Sequence, residues 1–274
     1  MKRLLSVAAL SVCLSLGVTS QVFAEATPVA QTKQQSGVVI NLAGKQRMLT
    51  QKMSKEALFI AKGINADANK ANLKKTVSLF DKTLTGLVSG DKDLNLPKTA
   101  NKDILAQLEV VKNLWTPFKA DIEKGDLKAI NSGNIPLLKN MNKAVQMYAK
   151  ASGSKLDPEM AKTINLAGKQ RMLTQKMTKE LLLIANGIDV DANKANIKKT
   201  TALFETTLND LISGTKDAKI KGQLEVVKKL WADYAPIVKK ADTSDASLAK
   251  AEKVNIPLLK EMNKAVKMYE ASIK

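Results

Sequence analysis

The chain has 274 residues, a formal net charge of +18, a single cysteine and no histidine, which excludes an internal disulfide and the commonest general base and metal ligand. Apolar residues make up 45% and aromatic ones only 4%, a balance that favours helices over strands. The lysines are spread along what read as polar helix faces, so the basic excess is taken as solvated surface, with no nucleic-acid partner and no enzymatic activity expected.

In chain order, Met1, Lys2 and Arg3 precede an apolar run from Leu4 to Val18, and Val22, Phe23 and Ala24 follow ahead of Glu25. This predicts a secretory leader over 1–24, cleaved with Cys13 inside it, and a periplasmic product. No later apolar run approaches the ~18 residues that a membrane span needs, so the product is not expected to be transmembrane. Residues 25–35 are polar and contain Pro28, which predicts a flexible lead-in. Ser36 is a cap for a helix starting near Gly37 and ending near Lys62, where Gly63 stops it. Asp67 caps a second helix, with Leu73, Val77, Phe80, Leu84 and Leu87 at helical spacing up to Ser89 and Gly90. After Pro97, a third helix carries Ile104, Leu108, Val111, Trp115, Phe118 and Ile122 on one face, and Pro117 predicts a kink in it. The fourth carries Ile135, Leu138, Met141, Val145 and Tyr148, with Pro136 placed in its first turn.

Asp157 and Pro158 then open the same pattern again. The second unit follows the first at an offset of 124 residues through Gly214, then 116 at Gln223 to Trp231, then 121 at Asn255 to Tyr269. Both length changes fall between predicted helices, where a packed fold tolerates them. The expected fold is therefore all-α, two tandem up-down four-helix bundles over 36–152 and 157–274.

One fourteen-residue stretch, INLAGKQRMLTQKM, occurs identically at Ile40–Met53 and Ile164–Met177. Outside the leader it holds the only arginines, Arg47 and Arg171, in a chain that otherwise uses lysine for every basic position. Lysine would serve for solubility, so the choice points to a need for the planar, forked guanidinium, and two-pronged recognition of a planar anion is the usual such need. On a helix, Ile40, Gly44, Arg47 and Gln51 share a stripe with Asn41 and Met48 beside it. Glycine costs about 1 kcal/mol in a helix interior relative to alanine, so Gly44 and Gly168 imply a close neighbour, either a helix or a ligand. The competing reading is structural: the glycines let helices pack while each arginine snorkels to water or pairs with a buried carboxylate. The candidate ligand-binding set is Arg47, Arg171, Gly44, Gly168, Asn41, Asn165, Gln51 and Gln175. Trp115, Trp231 and Met48, Met53, Met141 and Met147 read as core, and the pair Asp189 and Asp191 implies neither catalysis nor a metal or cofactor.

The repeated stretch closely resembles the signature of PilJ-type sensor domains, the N-terminal domains of type IV pili methyl-accepting chemotaxis transducers. Its Asn, Ala-Gly, Arg and Met positions are also similar to the first-helix motif of nitrate and nitrite sensor kinases. The Ile-Pro-Leu-Leu and Met-Asn-Lys-Ala-Val elements at 135–145 and 256–266 resemble that family's closing helix. The resemblance implies that two motif arginines face each other across an interface and grip one small oxyanion, with Arg47 and Arg171 as the pair and Gly44 and Gly168 making room. Unlike those sensors, the sequence shows no membrane-spanning run, signalling coiled coil or kinase portion, and it has two sensor units in tandem. Two readings stand at this point. One is an exported protein that binds nitrate or nitrite and presents the bound state to a membrane chemoreceptor or sensor kinase, as a monomer with pseudo-dimeric repeats or as a homodimer. The other is a structural or adhesive helical protein whose basic surface meets anionic polymer or membrane, the motif serving only to pack helices.

Overall fold

The computed structural model describes residues 32–273; the leader expected over 1–24 and lead-in residues 25–31 lie outside the described residues. Eight α-helices follow in order: α1 Lys33–Ala61, α2 Ala66–Ser89, α3 Lys102–Lys124, α4 Leu127–Ala151, α5 Pro158–Ala185, α6 Val190–Gly214, α7 Ala218–Lys240 and α8 Asp245–Ala271. A 3-10 turn, Ser152–Ser154, joins the two repeats, and no strand occurs among the described residues. The all-α expectation is met.

Several ends differ from the sequence expectation, each for a local reason. A capping box at Thr32 starts α1: its Oγ1 accepts from Gln35 N at 3.1 Å while Gln35 Oε1 accepts from Thr32 N at 3.0 Å. The helix therefore begins at Lys33 rather than Gly37, residues 33–35 are helical instead of a flexible lead-in, and Ser36 donates to Thr32 O inside the first turn. The cap of α2 is Asn65, left-handed at φ 42, and Asp67 lies in the first turn instead. Asp126 caps α4 by accepting from Ala129 N at 3.0 Å, so α4 starts at Leu127 and Pro136 falls well inside it rather than in the first turn. Pro257 is likewise internal to α8, and α3 continues as one helix through Pro117. An internal proline costs on the order of 3 kcal/mol, and burial of the flanking apolar stripes offsets it. In α4 that stripe runs through Ile130, Leu137, Met141, Ala144, Val145 and Tyr148. Ile135, expected on the core face, is 62% exposed, a point that matters below.

Within each repeat the first helix packs on the second and fourth, and the third packs on the fourth, closing a four-helix bundle. The most extensive packing in the molecule joins the repeats: α1 lies along α5, with α1–α8 and α4–α5 contacts on either side. One apolar core consequently runs through both bundles. The asymmetry of burial follows from this. α3 buries 7 of its 23 residues along one face, whereas α1 buries 20 of 29, all round its circumference. A helix enclosed on every side is normally apolar throughout. In α1 and α5 the enclosed positions include Gln46, Arg47, Thr50, Gln51, Lys55 and their counterparts Gln170, Arg171, Thr174, Gln175 and Lys179. Each such group needs a partner in the interior.

Candidate functional site

Arg47 on α1 and Arg171 on α5 are each 1% exposed, so neither snorkels to water. Nη1 of Arg47 donates to Asn142 Oδ1 of its own bundle at 2.6 Å, and Nη2 reaches across to Asn165, donating to Oδ1 at 2.8 Å and to the backbone O at 3.2 Å. Arg171 repeats the arrangement, with Nη1 to Asn263 Oδ1 at 2.8 Å and Nη2 across to Asn41 O at 3.1 Å. Each guanidinium thus bridges the closing helix of its own repeat and the first helix of the other. Every partner is a neutral oxygen, and no carboxylate lies within ion-pair distance of either arginine among the described residues. A guanidinium has five N–H donors. Arg47 uses three of them and Arg171 two, and Nε of both has no hydrogen-bond partner.

The two charges converge on the glycines. A Cβ built on Gly44 would lie 3.4 Å from Arg47 Nη2 and 3.8 Å from Arg171 Nη2; one on Gly168 would lie 3.4 Å from Arg171 Nη2 and 3.7 Å from Arg47 Nη2. These are ordinary van der Waals contacts, and no backbone of the opposing helix is among them. Helix packing therefore does not demand glycine here. What glycine provides is bare backbone on the side facing both guanidinium groups.

Burial pushes Arg47 down to about 10 and Arg171 down to about 9, the latter also lowered by the charge of Arg47 and partly restored by Glu270. Both remain charged at neutral pH, so two like charges stand close together in a poorly solvated interior. That arrangement disfavours the empty pair and favours whatever anion can enter.

Of the other expected site residues, Asn165 and Asn41 reach the arginines, Asn41 through its backbone oxygen. The Asn41 side chain instead donates to Glu270. Gln51 and Gln175 do not join the pair. They lie about one turn further on, where Gln51 Nε2 donates to Asn134 Oδ1 and Gln175 Nε2 to Asn255 Oδ1, both at 2.8 Å.

Those two asparagines form a second crossing layer, which the sequence reading missed. Lys55 Nζ reaches over to Asn255 Oδ1 at 2.9 Å, and Lys179 Nζ to Asn134 Oδ1 at 2.8 Å. Both lysines are 5% exposed, and burial pushes each down to about 8, against partial restoration by Glu56 and Glu180. They are exceptions to the solvated lysine faces expected from composition. Nothing in their spacing distinguishes them, because the partner lies on another helix of the other repeat. Asn134 and Asn255 also donate to Thr50 O and Thr174 O at 2.9 and 3.0 Å, tying the closing helices to the motif.

Two related grooves flank this interface. One, of 690 Å³, runs between α4 and α5 and has Arg47 and Lys179 in its wall; the other, of 440 Å³, lies between α1, α2 and α8 and is lined by Lys55, Asn255 and Asn263. Arg47 borders the first of these while remaining 1% exposed. Among the described residues, no group of three or more Asp, Glu, Cys or His residues could hold a metal ion, and no helix is long and apolar enough to cross a membrane.

Comparison with known proteins agrees with the duplicated plan. Over 122 residues, 42% of this chain, the sequence is 30% identical to a protein of Pseudomonas aeruginosa, "Methyl-accepting chemotaxis protein McpN". The match spans 22% of that protein's length. No solved structure matches the chain. The family described as "Type IV pili methyl-accepting chemotaxis transducer N-term" matches residues 29–142 and again 158–255, one segment in each repeat. Those segments take in well over half of the chain, which therefore belongs to the PilJ family of chemotaxis-transducer N-terminal domains.

Proposed function

We propose that the protein is a periplasmic anion sensor, exported through its leader, that binds one small planar oxyanion, nitrate or nitrite first, between Arg47 and Arg171. It presents the bound state to a membrane chemoreceptor or sensor kinase. The observation that carries the reading is the convergence of two carboxylate-free, buried guanidinium groups, contributed by different repeats, on Gly44 and Gly168. A structural arginine would find a buried carboxylate or reach water, and these do neither. The asparagines that hold them are neutral, so the pair keeps its full charge and several free N–H donors for a ligand. Because each arginine is oriented by the other repeat, one chain forms one site, with the tandem repeat acting as a covalent pseudo-dimer. Kinship with a chemotaxis transducer supports a sensory role.

An anion series tests this. Millimolar nitrate or nitrite is expected to raise the melting temperature above the shift given by equal chloride, by mass action on the folded state. Calorimetry on a chain shown to be monomeric by sedimentation is expected to give a stoichiometry near one. Equal shifts for all three salts, or two ions bound per chain with half retained after Arg47→Ala, would overturn the shared site.

A further inference from the structure

The groove between α4 and α5 is much larger than a three-oxygen anion requires. Its 690 Å³ would hold on the order of twenty waters at ~30 Å³ each, within the size range of organic-ligand sites. Its wall carries six cations, Arg47, Lys139, Lys162, Lys169, Lys176 and Lys179, and no acidic side chain. Lys176 is paired with Glu180 and Lys162 with Glu159, whereas Lys139, Lys169 and Lys179 have no carboxylate within ion-pair distance among the described residues. An apolar strip of Ile135, Leu138, Leu166 and Met172 runs beside them. Ile135 is 62% exposed on a helix whose other large apolar residues are buried or half-buried.

The related groove serves as an internal control. It is smaller, at 440 Å³, and includes Glu56 and Glu252 in its lining. Glu252 stands where the first repeat has Asn131, so the acidic charge on that side belongs to one groove alone. That groove also holds Lys45, Lys52, Lys55, Lys75 and Lys260, but its two glutamates offset part of that charge, so its own exposed isoleucine, Ile256 at 57%, sits in a less cationic lining.

We propose that the α4–α5 groove binds a carboxylate carrying an apolar arm, of the medium-chain fatty-acid kind. The carboxylate meets Lys139, Lys169 and Lys179, and the arm lies along Ile135, Leu138, Leu166 and Met172. Cationic lining alone would accept any anion; the apolar strip selects one with a hydrocarbon portion. A recessed groove suits a single molecule rather than a bilayer, which protruding apolar side chains would engage. The inference does not rest on an oxyanion at the arginine pair.

The test is calorimetric titration of the full chain with octanoate below its aggregation concentration, with acetate and octanol as controls. Octanoate is expected to bind once per chain, at least tenfold tighter than acetate or octanol. Ile135→Asp, and separately Lys139→Glu with Lys169→Glu, are expected to weaken it at least tenfold, while Ile256→Asp leaves it unchanged. All these positions are exposed or half-buried, so the variants should fold, and circular dichroism checks that. Equal affinity for acetate and octanoate, equal affinity for octanol, or equal loss in Ile256→Asp would each refute the groove. So would Ile135-dependent binding to anionic vesicles without binding of monomeric octanoate. The nitrate shift of the natural chain, measured without octanoate, reports the arginine pair separately, so failure of either reading is distinguishable from failure of the other.

Discussion

Replacing Gly44 and Gly168 by alanine separates helix packing from ligand binding, because the two roles predict opposite signs. Both glycines lie inside helices at ordinary helical φ, so each alanine should gain about 0.5–1 kcal/mol of intrinsic helix stability. The new methyl would meet the arginine Nη2 atoms at 3.4–3.8 Å, a contact that requires no shift. At roughly 2–4 °C per kcal/mol for a domain of this size, the double variant should melt about 2–8 °C above the natural protein without ligand. The methyl groups nevertheless fill the glycine side of both guanidinium groups, where an oxygen of the anion must come within about 2.7–2.9 Å of nitrogen. At a nitrate concentration a hundred times Kd, the natural protein gains about 2.7 kcal/mol. The double variant should lose most of that gain, each single variant part of it. Differential scanning calorimetry with and without nitrate measures both numbers on one sample. A double variant that melts lower without ligand would show that the glycines serve packing, and an unchanged nitrate response would remove them from the site.

Three further outcomes are expected. Arg47→Lys or Arg171→Lys should each abolish nitrate binding while the chain stays folded, since a lysine keeps the charge but not the fork; calorimetry finding undiminished binding in either would refute the pair. Lys55→Met and Lys179→Met should each stabilise the fold by about 1–3 kcal/mol in urea melts, because they remove a buried charge that has no close carboxylate partner. Asn255 and Asn134 would still accept from Gln175 and Gln51, so no acceptor is stranded. Stability should also rise with pH from about 8 towards 10. Lys55 and Lys179 lose their protons near 8 when folded but only near 10.5 when unfolded, so the unfolded chain binds more protons across that window and the burial penalty lifts. Above about 10 the buried phenols act in the opposite sense, Tyr148 being pushed up to about 12 and Tyr234 also raised by burial. The Lys55→Met, Lys179→Met double variant should show a flatter urea midpoint between pH 8 and 10, and an unchanged slope would exclude these lysines as its source.

Much of the architecture was legible in local pattern. The 3.6-residue spacing of Ile104, Leu108, Val111, Trp115 and Phe118 described α3 because that helix buries a single stripe. The duplication was readable directly, and so was the use of arginine at one position per repeat in a lysine-rich chain. The start of α4 was misread because a proline signals a first turn only when no stronger cap lies upstream, and Asp126 is such a cap. Ile135 lies outside for a different reason: the buried stripe of α4 runs through Ile130, Asn134 and Leu137 rather than through Ile135 and Leu138.

What no local pattern contained is the meeting of α1 and α5. Each repeat carries a complete four-helix signature, so periodicity alone allowed the bundles to stand apart on the Ser152–Asp157 connection. The tertiary structure brought Arg47 to Asn165 and Arg171 to Asn41, across 118 and 130 residues, and Lys55 to Asn255 across 200. Such pairings depend on which face of an all-round buried helix meets which neighbour. Hydrophobic spacing cannot specify that face when the helix is enclosed on every side. Residue identity set an arginine apart at one position per repeat; only the packing of one first helix on the other brought the two arginines together beside Gly44 and Gly168.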